Sequence, residues 1–165
     1  MSADIVEYNF WQKDDTNAKI KAVYLYNFTR YFEWPANMRE GNFVIAMVGA
    51  NAGLKAELDK MAAQKQVANQ KIEIKVVNTL AEAGKCNIVY LIGDNSSNLK
   101  DAMKQYSGKG TLVITEKTGM GKAGAVINFI VQENKQKFEL NTTSAQKTGL
   151  KVSSNLKDLA ISVFD

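Results

Sequence analysis

Histidine is absent from all 165 residues. That absence removes the commonest general base at neutral pH, every Ser-His-Asp or Cys-His arrangement, and most zinc sites in one step. Cysteine is nearly absent too: Cys86 stands alone, so no intrachain disulfide can form. It sits in Lys85-Cys86-Asn87-Ile88-Val89-Tyr90, at the mouth of an apolar run. A small packed residue is the expected role there, with a reactive thiol or an intermolecular bridge as alternatives. Pro35 is the only proline, which excludes a Pro-rich linker. Arginine occurs only as Arg30 and Arg39. Bidentate phosphate grips favour arginine, so this scarcity counts against phosphate-rich partners. No run of about 18 apolar residues occurs, so nothing in the sequence reads as a membrane-spanning helix.

What is present fits one core. The chain is long enough for a single domain and too short for two comfortable ones. Apolar residues make up 45% and charged residues 23%, a globular balance rather than a disordered one. The net charge of +4 comes from lysines scattered among acidic residues, such as Lys55, Lys60 and Lys65 among Glu57 and Asp59. A nucleic-acid binder would gather them on one face, so no nucleic-acid partner is expected. Met1-Ser2-Ala3-Asp4 carries neither the basic nor the apolar region of a secretory signal. Two readings stay open: a cytoplasmic protein, or an exported one whose signal has been removed.

Along the chain, residues 1–15 have no clear period and are expected to pack as an extended arm carrying Tyr8, Phe10 and Trp11. Asp14 to Trp34 reads as an amphipathic helix, capped by Asp15 or Thr16 and stopped by Pro35. Ile20, Val23, Tyr24, Phe28, Tyr31 and Phe32 recur on it at spacings of three and four, which predicts one inward face. Phe43 to Val48 is a continuous apolar run, the signature of a strand covered on both sides. Leu54, Leu58, Met61 and Ala62 mark a helix; Ile72, Ile74 and Val76 alternate with charged residues as a half-exposed strand does. Asn87 to Ile92 reads as a buried strand, Asn95-Ser96-Ser97 as caps for a helix through Tyr106, and Thr111 to Thr115 as a strand again. Two further runs, Ala125 to Gln132 and Lys135 to Asn141, are separated only by Glu133-Asn134, a hairpin-length turn. A short helix is expected after Thr143, closed by Gly149, and a last helix over Asn155 to Phe164 with Leu156, Leu159, Ala160 and Val163 inward. The pattern predicts a single α/β domain over residues 16–165. Its mixed, mostly parallel sheet has about six strands flanked by helices, with an antiparallel hairpin near the C-terminus.

Few residues offer chemistry. Gly119-Met120-Gly121-Lys122-Ala123-Gly124 matches the letters of a dinucleotide fingerprint, but it leads into a strand instead of opening a helix onto a pyrophosphate. A glycine-permitted loop is the better reading. Gly49 to Gly53 stands between a strand and a helix without the Gly-Lys-Ser/Thr ending of a phosphate loop. Asp94 and Glu116 lie just past strand ends, where α/β sheets hold ligands, and a solvated turn carboxylate is the plain alternative for each. No catalytic, metal or cofactor site is expected. The unusual feature is the first helix, with six aromatics between Tyr24 and Trp34. One buried stripe does not absorb so many, and Tyr26 with Arg30 falls on another face than Phe28 with Phe32. Exposed aromatic and arginine side chains are what binding hot spots use.

Lys21-Ala22-Val23-Tyr24-Leu25-Tyr26-Asn27-Phe28-Thr29-Arg30-Tyr31-Phe32-Glu33-Trp34-Pro35 resembles the opening signature of the YfiR-like proteins. Phe43 to Gly49, Cys86 to Tyr90, Gly121 to Phe129, Phe138 to Asn141 and Gly149 to Ser154 resemble later segments of that family in the same order. The likeness covers roughly Lys19 to Val163. It implies a periplasmic α/β protein; the best-understood members of the family repress a membrane-bound diguanylate cyclase by binding its periplasmic portion, and the identity of that partner does not carry over to this sequence. Two departures stand out: Cys86 is alone where regulatory relatives carry disulfides, and Asn87 replaces a histidine that often follows that cysteine.

The expectation is therefore a non-enzymatic, exported regulator whose signal peptide has been removed, acting on a membrane signalling protein and open to homodimer formation. Tyr26, Arg30 and Trp34 are its candidate partner surface. The alternative is a small-molecule receptor, for a nucleotide or aromatic amino acid, at strand ends near Asn51 and Asp94.

Overall fold

Strand β2 (Phe43–Val48) is apolar at every position because it is covered by neighbours on both sides and helices on both faces. It pairs in parallel with β4 (Gln70–Val77) on one side and β5 (Ile88–Leu91) on the other, so that Ile45 lies opposite both Ile74 and Ile88. The computed structural model that gives this arrangement describes the backbone of residues 2–165 and the side chains of residues 17–165. Helix α1 (Ser2–Tyr31) precedes a short strand β1 (Phe32–Glu33). After β2 come α2 (Ala52–Gln64), β3 (Gln66–Val67), β4, α3 (Leu80–Ala83) and β5. Helix α4 (Leu99–Gln105), β6 (Leu112–Thr115), α5 (Met120–Ala123), β7 (Ile127–Gln132) and β8 (Lys135–Asn141) follow. The chain closes with α6 (Thr142–Lys147), β9 (Lys151–Val152), α7 (Ser154–Leu159) and β10 (Ser162–Phe164).

The main sheet has eight strands in the order β10-β8-β7-β6-β5-β2-β4-β3, two more than the sequence pattern predicts, because β3 and β10 are too short to leave a periodic trace. From β4 to β7 all pairings are parallel; β3 runs against β4, and β8 runs against β7 but parallel to β10. The chain builds outward from β2 to β4, then crosses back to β5 and continues to β7. The reversal between β2 and β5 is the topological switch point, where open α/β sheets leave a crevice at the strand carboxyl ends.

Helix α1 lies over the β7–β8 end of the sheet. Its buried stripe is Ala18, Ala22, Leu25, Phe28 and Thr29, continued by Phe32 of β1, whereas Ile20 and Val23 are 45% and 55% exposed. The two alanines let the helix approach closely and rotate the inward face away from those β-branched residues. The helix runs through Asp15 and Thr16 rather than starting there, and side chains of the expected arm, including Tyr8, Phe10 and Trp11, lie outside the described residues. It ends at Tyr31 because Phe32 and Glu33 pair antiparallel with Val152 and Lys151, while Ser153 donates its N–H to the Tyr31 carbonyl at 2.9 Å. Beyond it, Pro35 packs against Gly110 (φ +78°) so closely that a Cβ there would stand 2.4 Å from the proline ring.

Glu133 and Asn134 have φ of 52° and 63°, the twin positive values of a tight hairpin turn, and join β7 to β8 as the sequence predicts. Three local expectations change. Asn141, not Thr143, caps α6 by accepting the Ser144 N–H at 2.9 Å. Residues 119–124 hold the single-turn helix α5 between Gly119 and Gly124 rather than an open loop. The last segment is not one helix: Ile161 donates to the Phe138 carbonyl at 2.9 Å, which draws β10 onto β8 and leaves Leu159 56% exposed. Among the described residues no helix is long and apolar enough to cross a membrane.

Cys86 is buried beneath Tyr106, whose hydroxyl lies 3.5 Å from Sγ. Burial pushes the thiol up to about 11 from 9.0, against smaller opposing effects of the Tyr106 bond and the Lys75 charge. In the unfolded chain the thiol ionises near 9, so the folded form holds one proton more between those limits. Its contribution is full below pH 9 and lost as pH rises toward 11, on the order of 2–3 kcal/mol at most. Urea denaturation at pH 8.5 and 11 is expected to show a smaller alkaline loss in Cys86→Ala than in the unmodified protein.

Candidate functional site

A cleft of about 420 Å³ opens at the switch point. Its floor comes from the residues that follow three parallel strands: Ala50 and Asn51 after β2, Ile92 after β5, Glu116 and Thr118 after β6. Phe129 to Val131 of β7 and Gln136 of β8 form one wall, and Asn17 and Lys21 of α1 close the top. The position follows from the topology, since parallel strands deliver all their succeeding loops to the same edge.

Glu116 is the centre of the site. Its Oε1 accepts from Lys21 Nζ at 3.0 Å and from the Tyr90 hydroxyl, and its Oε2 accepts the Gly93 N–H at 2.6 Å. The Glu116 N–H in turn donates to Ser96 Oγ, whose own hydroxyl bonds the Leu91 carbonyl. The ion pair is largely withdrawn from water, with side-chain exposures of 16% for Lys21 and 13% for Glu116. Tyr90 is fully buried. Burial first, then the Glu116 charge and hydrogen bond, hold its phenol well above the ordinary range, so it serves as a fixed donor. Gln136, 5% exposed, donates both amide hydrogens, to the Ile130 carbonyl at 3.0 Å and the Lys137 carbonyl at 3.1 Å. Its Oε1 has no partner among the described residues. Asn51 caps α2 through Oδ1, which accepts the Leu54 N–H at 3.0 Å.

The sequence candidates divide between two places. Asn51 lines the cleft; Asp94 is exposed on the turn Gly93–Asn98 and does not. Glu116, noted from sequence beside Asp94, is the carboxylate that matters geometrically. Tyr26 and Arg30 lie on the outer face of α1, in a depression of about 590 Å³ shared with α2. The Arg30 guanidinium carbon stands 5.2 Å and Lys65 Nζ 5.6 Å from the Tyr26 ring centroid, so two cations sit against the ring. Trp34 is not part of that face. It is 6% exposed, donates Nε1–H to the Thr29 carbonyl at 3.0 Å and meets Phe43 edge-on at 5.1 Å. The turn at Pro35 folds it into the core, which corrects its assignment as a contact residue. Lys21, Tyr90 and Gln136 escape a reading by motif. Only the place of Glu116 just past a strand hints at the cluster. No three metal-ligating side chains converge among the described residues.

No curated protein matches the chain in sequence. Among solved structures, the Streptococcus pneumoniae ABC domain in complex with L-Trp is similar, with a TM-score of 0.54 and 13% identity over 74% of this chain and 55% of that one. A conserved domain protein from Vibrio cholerae aligns with a TM-score of 0.49 and 13% identity over 73% of this chain and 54% of its own length. The chain thus spans about half the length of each, and at such identity the first likeness concerns the fold alone. The model of the YfiR/HmsC-like family, in contrast, matches residues 18–161, from Ala18 of α1 to the residue before β10. The motifs of the first helix, the Cys86 strand and the closing segments all fall inside that span, and the chain belongs to the YfiR/HmsC-like family.

Proposed function

We propose that this protein is a non-enzymatic periplasmic regulator that binds the periplasmic portion of a membrane signalling protein, of the diguanylate cyclase kind, through the outer face of α1 and α2. Family membership supports a regulatory role at the general level. The observation that carries the surface is the Tyr26 ring in contact with both Arg30 and Lys65, with Ile20 and Val23 exposed on the same helix. A rigid aromatic with a flanking arginine is the usual composition of an interface hot spot. The absence of histidine, and a Glu116 carboxylate already engaged by three donors, support a role without acid–base chemistry.

The double variant Tyr26→Ala/Arg30→Ala is expected to weaken capture of the partner's periplasmic domain by tenfold or more, on the order of 2 kcal/mol, measured by biolayer interferometry. Its melting temperature should fall far less than in a core truncation, because Arg30 is exposed and Tyr26 is only partly buried at the edge of the core. Capture unchanged by the substitution would remove this face from the proposal.

A second reading, a small-molecule receptor, is favoured by the cleft and by its unpartnered Gln136 oxygen. The ABC domain of similar fold was solved in complex with L-Trp, so this architecture is compatible with a small-ligand site.

A further inference from the structure

One atom in the cleft has no structural explanation. Because both hydrogens of the Gln136 amide are committed to the Ile130 and Lys137 carbonyls, the orientation of the group is fixed, and the free atom is an acceptor. A buried acceptor without a donor is unfavourable, and native interiors leave few of them. The cleft also holds the complementary surplus. Lys21 Nζ gives one of its hydrogens to Glu116, and no other acceptor among the described residues takes the remainder. Glu116 is the weaker place for a ligand's cation, since Lys21 already neutralises it and Tyr90 and the Gly93 N–H also engage its oxygens. At the rim, Asn51 opens the 13-residue helix α2, whose first turn adds the positive end of a helix dipole.

The site is therefore polarised, with donors and positive charge at one side and a buried acceptor at the other. We infer that the cleft binds a small hydroxy- or amino-carboxylate, its carboxylate toward Lys21 and the start of α2, and its hydroxyl or ammonium donating to Gln136 Oε1. A volume of about 420 Å³ admits such a molecule with room to spare. This inference rests on the small-molecule reading and names its chemistry. It also links the two surfaces: Lys21 and Tyr26 stand on one helix, roughly 7.5 Å apart along its axis at about 1.5 Å per residue.

Isothermal titration of the whole chain with L-lactate, D-glycerate and L-serine tests it, with propionate and lactamide as partners that lack the donor or the charge. At least one of the three acids is expected to bind tenfold or more tightly than both controls, a difference of about 1.4 kcal/mol. Lys21→Met should reduce that affinity at least tenfold, and Gln136→Met should erase the preference for lactate over propionate. Should Gln136→Met fail to fold, the comparison of lactate with propionate on the unmodified protein decides the point alone. Equal binding of lactate, propionate and lactamide would overturn the inference, as would full affinity in Lys21→Met. If none of the acids binds at millimolar concentration but adenosine or putrescine does, the chemical class is wrong and the receptor reading survives. If nothing in either set binds, both fail.

Discussion

Replacing Phe28 with alanine is expected to cost about 3–5 kcal/mol of folding stability, the largest single effect in the molecule. Phe28 is 1% exposed, and its ring centroid lies 5.3 Å from Phe138, 6.1 Å from both Tyr24 and Phe129, and 6.3 Å from Phe32. Truncation loses the transfer energy of the ring and leaves a void that four other rings cannot fill without leaving their own contacts. In a domain of this size the melting temperature should fall by roughly 6–20 °C, measured by differential scanning calorimetry. Phe28→Leu, which keeps most of the volume, should lose distinctly less. A loss under about 1 kcal/mol for the alanine variant would mean that α1 is not seated on the β7–β8 hairpin as described.

The second large effect is expected at Glu116. Glu116→Ala strands the Tyr90 hydroxyl, the Gly93 N–H and the Lys21 ammonium at once. Removing one partner of a buried pair costs more than the pair contributes, because the other charge is left behind. About 3 kcal/mol is expected, the low end for such pairs, since Lys21 and Glu116 keep 16% and 13% of their side-chain exposure. Glu116→Gln retains an acceptor for Tyr90 and should lose less. It also supplies a spectroscopic check. The Glu116 charge is the second cause of the raised Tyr90 phenol, so its removal should let Tyr90 ionise at lower pH than in the unmodified protein, although burial keeps it elevated. Following tyrosinate absorbance against pH reads this directly. An unchanged titration would show that the two groups are not electrostatically coupled.

The legible parts of the fold were those where a local pattern and the tertiary environment agree. Phe43 to Val48 is apolar throughout because it sits mid-sheet, and Glu133-Asn134 marks a hairpin because only two residues separate two strand-like runs, a length that the twin positive φ values then serve. The misread parts have identifiable causes. Ile20 and Val23 share the three-and-four spacing of the inward face, but Ala18 and Ala22 take the contact and turn them outward. Ile161 to Phe164 offers too few residues to separate a helical period from a strand, and a hydrogen bond to Phe138 decides the matter from outside the segment. Trp34 looked like surface because so many aromatics crowd its neighbourhood, and only the bond to Thr29 reveals its direction. The cleft was the least legible. Its two defining charges are separated by 95 positions, and the free oxygen of Gln136 is a property of three-dimensional partners, not of residue type.

Pairing of Phe32 with Val152, together with the packing of Phe28 on Phe129 and Phe138, has a consequence for biogenesis. During synthesis the aromatic flank of the first helix emerges long before the strands that shelter it. It must stay unsatisfied until nearly the whole polypeptide has left the ribosome. Late, sequence-distant closure of this kind slows folding and prolongs the interval in which sticky surface is on view. A nascent chain stalled before Phe129 is accordingly a natural client for a holdase chaperone.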